Sequence, residues 1–274
     1  MASSPLSLLN SSNQAANAQA LAMARLSSGA RINSAKDDAA GLAIASQMVT
    51  QMGSTSQASG NISAGLSLTD VAGAALSQTN DTLQRMRELA VQAANGTNNS
   101  SDLQAIQKEF SQLSQSLDQV SSQTQFNGQN LLDGSFNASL QTGPNAGNTY
   151  QLSLGGVSSQ ALGLANVDVS SSSNASSALG AIDQALASVG SQQGSLGASQ
   201  AALNAAAQNQ SVTYDNLASA QSQISDTNYA SESASLAQAG VSQEVSLKML
   251  TLYDANQANV LSVFPGALGL NTQA

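Results

Sequence analysis

The chain has 274 residues, enough for one or two domains. Its residues are 41% hydrophobic but only 3% aromatic, with no Trp, no Cys and no His. Without Cys there is no disulfide, thiolate nucleophile or zinc finger, and without His the commonest general base and metal ligand is missing. Seven basic residues against sixteen acidic ones give a net charge of −9, a poor match to nucleic acid or anionic lipid, which are held by Lys and Arg.

The apolar residues are mostly Ala and Leu, which suit thin helix–helix seams better than a thick core. Pro occurs only at Pro5, Pro144 and Pro265, so two long stretches carry nothing to break a helix. The N-terminus, from Met1 to Leu6, lacks the charged and apolar regions of a cleaved signal peptide. No run approaches the ~18 apolar residues of a membrane span, so no membrane insertion is expected.

In chain order, Ile62, Leu66, Leu83, Met86, Leu89 and Ala93 fall on a helical pattern. The segment from Asn95 to Asn99 reads as a turn, with Gly96 suited to stop a helix. Leu103, Ile106, Phe110, Leu113, Leu117 and Val120 then form an unbroken heptad seam, with Ser100, Ser101 or Asp102 as candidate caps. From Phe126 to Asp168 the period drops toward two. Residues 138–141 and 150–154 alternate about a loop through Pro144, which predicts the only convincing strand pair. A helix follows from about Ala175 to beyond Ile224, carrying Ile182, Val189, Leu196, Leu203, Gln210, Leu217 and Ile224 at every seventh position. The fold class is therefore mainly α: an elongated rod of long antiparallel coiled-coil helices with a small β-hairpin. The N- and C-terminal helices pair at one end, because each amphipathic seam needs a partner.

Catalytic readings are weak. Ser is abundant, but with no His and Lys only at Lys36, Lys108 and Lys248, solvated helix faces explain it better than a nucleophile. Asp37 and Asp38 have no supporting cluster and read as helix-end or intersubunit residues rather than metal ligands. No catalytic residue, metal or cofactor is assigned, and the four Asn-x-Ser sequons are treated as chance.

Several runs together resemble the bacterial flagellins: LSSGARINSAKDDAAGLAI from Leu26 to Ile44, LQRMRELAVQAANGTN from Leu83 to Asn98, QTQFNG from Gln123, NLASA from Asn216, and DTNYASE from Asp226. The resemblance covers both ends of the chain, in family order. It implies a subunit that polymerises into the extracellular flagellar filament for motility, exported without a cleaved signal peptide. It also implies a minimal type lacking the outer variable domains. Residues 1–36 and 226–274 would form the helical layer lining the filament core, and 37–225 the helical rod, with its β-hairpin region near 134–168.

The partners implied are other copies of the chain, the flagellar export apparatus and chaperone, and the hook-associated and cap proteins. Assembly residues carried over or read from the terminal helices are Arg31, Asn33, Lys36, Asp37, Asp38, Val241, Val245, Leu250, Val260 and Leu261. Arg85, Leu89 and Glu109 match the flagellin residues read by a Toll-like receptor of animal hosts. Two features depart from the family pattern. The chain begins with fewer residues ahead of Leu26. The segment GVSQEVSLKMLTLYDANQAN from Gly240 resembles the C-terminal helices of rod, hook and hook-associated proteins. The alternatives are therefore a hook–filament junction protein or a flagellin-like surface adhesin.

Overall fold

The computed structural model describes residues 5–263, with side chains to residue 260. Five helices and two small hairpins follow in order: α1 (Pro5–Ser28), α2 (Ala39–Ala94), α3 (Ser100–Gln123), β1 (Gln125–Phe126), β2 (Gln129–Asn130), β3 (Asn137–Gln141), β4 (Thr149–Ser153), α4 (Ser172–Ser225) and α5 (Tyr229–Val263). The mainly α class with a small hairpin holds. The chain divides into a first unit, Met1–Val49 with Leu217–Ala274, and a second, Thr50–Asn216. The division falls within α2 and α4.

In the second unit, α2 buries Thr55, Ala58, Ile62, Gly65, Thr69, Ala72, Leu76, Thr79, Leu83, Met86, Ala90 and Ala93. The steps alternate three and four without a break, which is the heptad of a helix packed along a partner. Two of the buried threonines satisfy their hydroxyls on the preceding turn: Thr69 donates to the Leu66 carbonyl at 2.7 Å and Thr79 to that of Ala75 at 2.9 Å. The facing stripe on α4 is Ile182, Val189, Leu196 and Leu203, all buried. Gly65 permits close approach, since a Cβ there would sit 2.8 Å from Leu140 Cδ1 and 3.4 Å from Leu203 Cδ1.

Helix α3 begins with a capping box. Asn99 Oδ1 accepts from the amides of Ser101 and Asp102, and Asp102 Oδ2 accepts from the amide of Asn99. The cap is thus Asn99, one residue before the three candidates read from sequence, and Asp102 occupies the reciprocal position. Ile106, Phe110 and Leu117 are buried, while Leu103, Leu113 and Val120 are half-buried against the same core.

The hairpin expected near Pro144 is β3–β4, antiparallel, with Ala138 opposite Leu152 and Leu140 opposite Tyr150. Its loop is held from both long helices, by Asn61 Nδ2 on the Gln141 carbonyl at 3.2 Å and by Gln210 Nε2 on that of Thr142 at 2.9 Å. A second hairpin, β1–β2, was not expected. Its two-residue turn has positive φ at Asn127 (50°) and Gly128 (77°), the combination that Asn-Gly supplies most readily. Sequence periodicity has no purchase on strands of two residues.

In the first unit, α1 packs antiparallel on α5: Arg25 lies at Glu232, while Gln19 lies near Gly240. Gly29, with φ 70°, ends α1 in the left-handed region.

Candidate assembly and recognition surfaces

The fully buried positions of the α1–α5 seam are small: Ser12, Ala15 and Ala22 on α1, Ala239 and Ser246 on α5. On α1 a stripe of buried or half-buried positions runs through Leu8, Ser12, Ala15, Gln19, Ala22 and Leu26; on α5 one runs through Glu232, Leu236, Ala239, Gln243, Ser246, Leu250 and Tyr253, with Ala16, Arg25 and Gly240 half-buried beside them. Both sets step by three and four residues, so each is a coiled-coil stripe. Many of the larger apolar side chains lie outside it. Leu6 is 68% exposed, Val241 63% and Leu252 59%, and Leu9, Met23, Val245, Met249 and Val260 are exposed with them. At 3.6 residues per turn, Val241, Val245, Met249 and Leu252 form one stripe about 120° around α5 from the seam. The helix pair is thus partly inverted: its fully buried positions are alanine and serine, the seam leucines are only half-buried, and the valines and several leucines lie outside.

Of the assembly residues named from sequence on α5, Val241, Val245 and Val260 are exposed. Leu250 instead lies half-buried in the seam against α1. The Leu261 side chain lies outside the described residues.

The segment between α1 and α2 is tied down by its own polar groups. Ala30 bridges Asp226, the Arg31 amide donates to the Ser225 carbonyl at 2.7 Å, and the Thr227 amide donates to that of Gly29 at 2.9 Å. Arg31 Nη2 donates to the Ile224 carbonyl at 2.6 Å and lies 3.9 Å from Asp38 Oδ2. Asp38 caps α2 by accepting from the Gly41 amide at 2.8 Å. Asp37 Oδ2 accepts from the Ser34 hydroxyl at 2.8 Å and from the amides of Ser34 and Asn33. These bonds, led by the Ser34 hydroxyl, hold the Asp37 carboxyl below its ordinary range despite a counteracting desolvation. Asn33 and Lys36 are exposed. The structure therefore uses Arg31, Asp37 and Asp38 to brace one loop: Arg31 and Asp38 lie together, Asp37 binds Asn33 and Ser34, and the Asn33 side chain donates to the Ala30 carbonyl at 3.2 Å.

In the second unit, Arg85 and Glu109 meet across the α2–α3 turn. Arg85 donates from Nε at 3.0 Å and Nη2 at 2.7 Å to Glu109 Oε1, and from Nη1 to Glu88 Oε2 at 2.9 Å. The bond to Glu109, more than that to Glu88, raises the already high Arg85 pKa. Leu89 does not join them at the surface. It is 2% exposed and belongs to the core. An ion pair that sequence reasoning missed joins α2 to α4, Arg87 Nε to Asp183 Oδ1 at 2.7 Å. Its partners lie 96 residues apart with no local signal. No described helix is long and apolar enough to cross a membrane.

With this geometry in place, comparison with known proteins is specific. The model of the bacterial flagellin N-terminal helical region matches residues 1–137, and that of the bacterial flagellin C-terminal helical region matches residues 179–264. The latter takes in the segment from Gly240 to Asn259 that resembles hook-type helices. Flagellin of Salmonella muenchen is 48% identical over 166 residues, 60% of this chain and 33% of that protein. Phase 2 flagellin of Salmonella typhimurium is 47% identical over the same length and shares. The match therefore spans about a third of the length of these relatives. The crystal structure of Bacillus cereus flagellin aligns with a TM-score of 0.51 at 27% identity, covering 55% of this chain and 88% of that one.

Proposed function

The chain belongs to the bacterial flagellin family, and on that premise we propose that it is a non-catalytic structural subunit polymerising into the extracellular flagellar filament for motility. The partly inverted α1–α5 pair carries this reading. Burying a Val or Leu side chain is worth about 1.5–3 kcal/mol each, and the pair leaves that gain unrealised along its outer stripes. A second copy offers the same stripes. Contacts repeated head-to-tail between identical copies build an open helical polymer when their rotation does not close a ring. Residues 1–36 and 226–274 then form the inner helical layer and residues 37–225 the part outside it. Asn33 and Lys36 contact the neighbouring subunit, while Arg31, Asp37 and Asp38 hold their loop in shape.

Export without a cleaved signal peptide, with a chaperone on the way out, and capping by hook-associated and cap proteins complete the set of partners. In the free subunit, Arg85 and Glu109 offer a polar pair to a Toll-like receptor of a host, with Leu89 supporting them from below. Deletion of residues 226–274 tests the central claim. Electron microscopy should find no filaments, while circular dichroism retains the helices of the second unit. Filaments of normal length from the deletion would overturn it.

A further inference from the structure

We infer that Asn95 is a site of spontaneous intramolecular deamidation, a slow covalent ageing of the turn between α2 and α3. Two asparagines in the chain precede glycine, Asn95 and Asn127, and glycine leaves the following amide nitrogen open because it has no side chain. The structure separates the two. Asn127 sits in the left-handed region at the centre of the β1–β2 turn. Ladder pairs on either side, Phe126 with Gln129 and Gln125 with Asn130, fix its backbone. Asn95 and Gly96 lie exposed between helices, in no ladder.

A donor also stands at the reacting carbonyl of Asn95. The Thr97 amide donates to Asn95 Oδ1 at 3.2 Å. That bond polarises Cγ in the ground state and strengthens as negative charge collects on Oδ1 during attack, as a donor in an oxyanion hole does. A third candidate, Asp133 before Gly134, is held differently. Ser135 binds its carboxylate through both amide and hydroxyl and keeps it ionised, and an ionised carboxylate is a poor electrophile.

The reaction needs only water and a solvent base. The Gly96 nitrogen loses its proton to the base and bonds to Asn95 Cγ. The Cγ–Nδ2 bond breaks, and Nδ2 takes up a proton and leaves as ammonia. The resulting succinimide is opened by water at one of its two carbonyls, giving aspartate or isoaspartate, with nothing oxidised or reduced. The product adds an anion just past the C-terminus of α2, where the helix dipole disfavours it. Isoaspartate also lengthens the backbone by one atom beside the bond from the Asn98 amide to the Asn95 carbonyl.

The test is incubation of the full chain in mildly alkaline buffer, folded and in urea, followed by peptide mapping with mass spectrometry that distinguishes isoaspartate. The expected result is conversion at Asn95 at least several-fold faster than at Asn127 in the folded chain, with comparable rates in urea. Gly96→Ala should slow the Asn95 reaction without unfolding the protein, because a Cβ at Gly96 meets nothing within 4 Å. Equal rates at both sites in the folded chain would overturn the proposal. So would an unchanged Asn95 over the time in which the urea sample converts.

Discussion

Arg85 Nη2 lies 2.7 Å from Glu109 Oε1, joining α2 to α3 above a buried Leu89. The pair is half-exposed, and surface ion pairs contribute about 0–1 kcal/mol, so its removal should cost little stability. Leu89 is the reverse case. Arg85→Ala and Glu109→Ala should each reduce signalling by the free subunit in a receptor reporter assay while leaving its melting temperature nearly unchanged. Leu89→Ala should cost about 2–5 kcal/mol of stability by opening a core cavity, read as a fall in the denaturation midpoint. Full signalling by both charge variants would remove them from the recognition surface.

A graded result is expected along α3. Phe110 is 1% exposed, whereas Leu113 on the same stripe is half-buried. Phe110→Ala should therefore cost about 3–5 kcal/mol and Leu113→Ala distinctly less, in urea unfolding of the depolymerised protein. Equal costs would mean that the cavity term is not what separates them.

These differences show what the sequence made legible. The α3 stripe could be read because its positions hold Leu, Ile, Phe and Val. The α2 stripe is as regular, but Thr55, Gly65, Thr69 and Thr79 stand at buried positions, and their small or hydroxylated side chains carry no hydrophobic signal. Leu66, which fits a helical pattern by eye, is only half-buried. The α1–α5 seam was hidden for the same reason: its fully buried positions are Ser12, Ala15, Ala22, Ala239 and Ser246. Leu250, named from sequence as an assembly residue with Val241 and Val245, belongs to that seam. The role of Arg31 was visible only as a residue type, because its partners at Ile224 and Ser225 are remote in sequence, whereas Asp37 and Asp38 bond within four residues of themselves.

Helix α4 tolerates a stabilising change. A Cβ at Gly194 meets nothing within 4 Å, and its φ is not positive. Glycine in a helix interior is about 0.5–1 kcal/mol worse than alanine. Gly194→Ala should raise the midpoint of thermal unfolding of the depolymerised subunit. A lowered midpoint would mean that this part of α4 needs glycine for a contact made only by alanine's absence.

The Asp37 carboxyl makes the loop between α1 and α2 acid-sensitive in a stated direction. Its folded pKa is lowered from the ordinary 3.8, chiefly by the Ser34 hydroxyl. A lowered folded pKa contributes stability that is present above the unfolded value and is lost as pH falls through the folded one. Carboxyl-detected NMR titration should find Asp37 below the ordinary value, and Ser34→Ala should move it back up. A titration unaffected by Ser34→Ala would place the cause elsewhere.

The last prediction separates the two faces of α5. Val245 lies on the outer stripe, whereas Ala239 lies in the seam against α1 and is 8% exposed. A carboxylate at Val245 remains in water in the free chain, so Val245→Asp should leave helix content unchanged and stability within about 0.5 kcal/mol of the parent. In a polymer that covers the stripe, the same charge is buried without a partner, which is among the costliest changes an interface can suffer. Val245→Asp should therefore block filament growth in a seeded polymerisation assay. Ala239→Leu acts the other way round. It forces a larger side chain between two closely packed helices, at a cost of about 1–3 kcal/mol, so the free subunit should lose stability in the first unit before assembly is attempted. If Val245→Asp polymerises like the parent, the outer stripe is not an assembly face. If it lowers helix content as Ala239→Leu does, the stripe is already covered in the free subunit, and the partly inverted pair does not drive polymerisation.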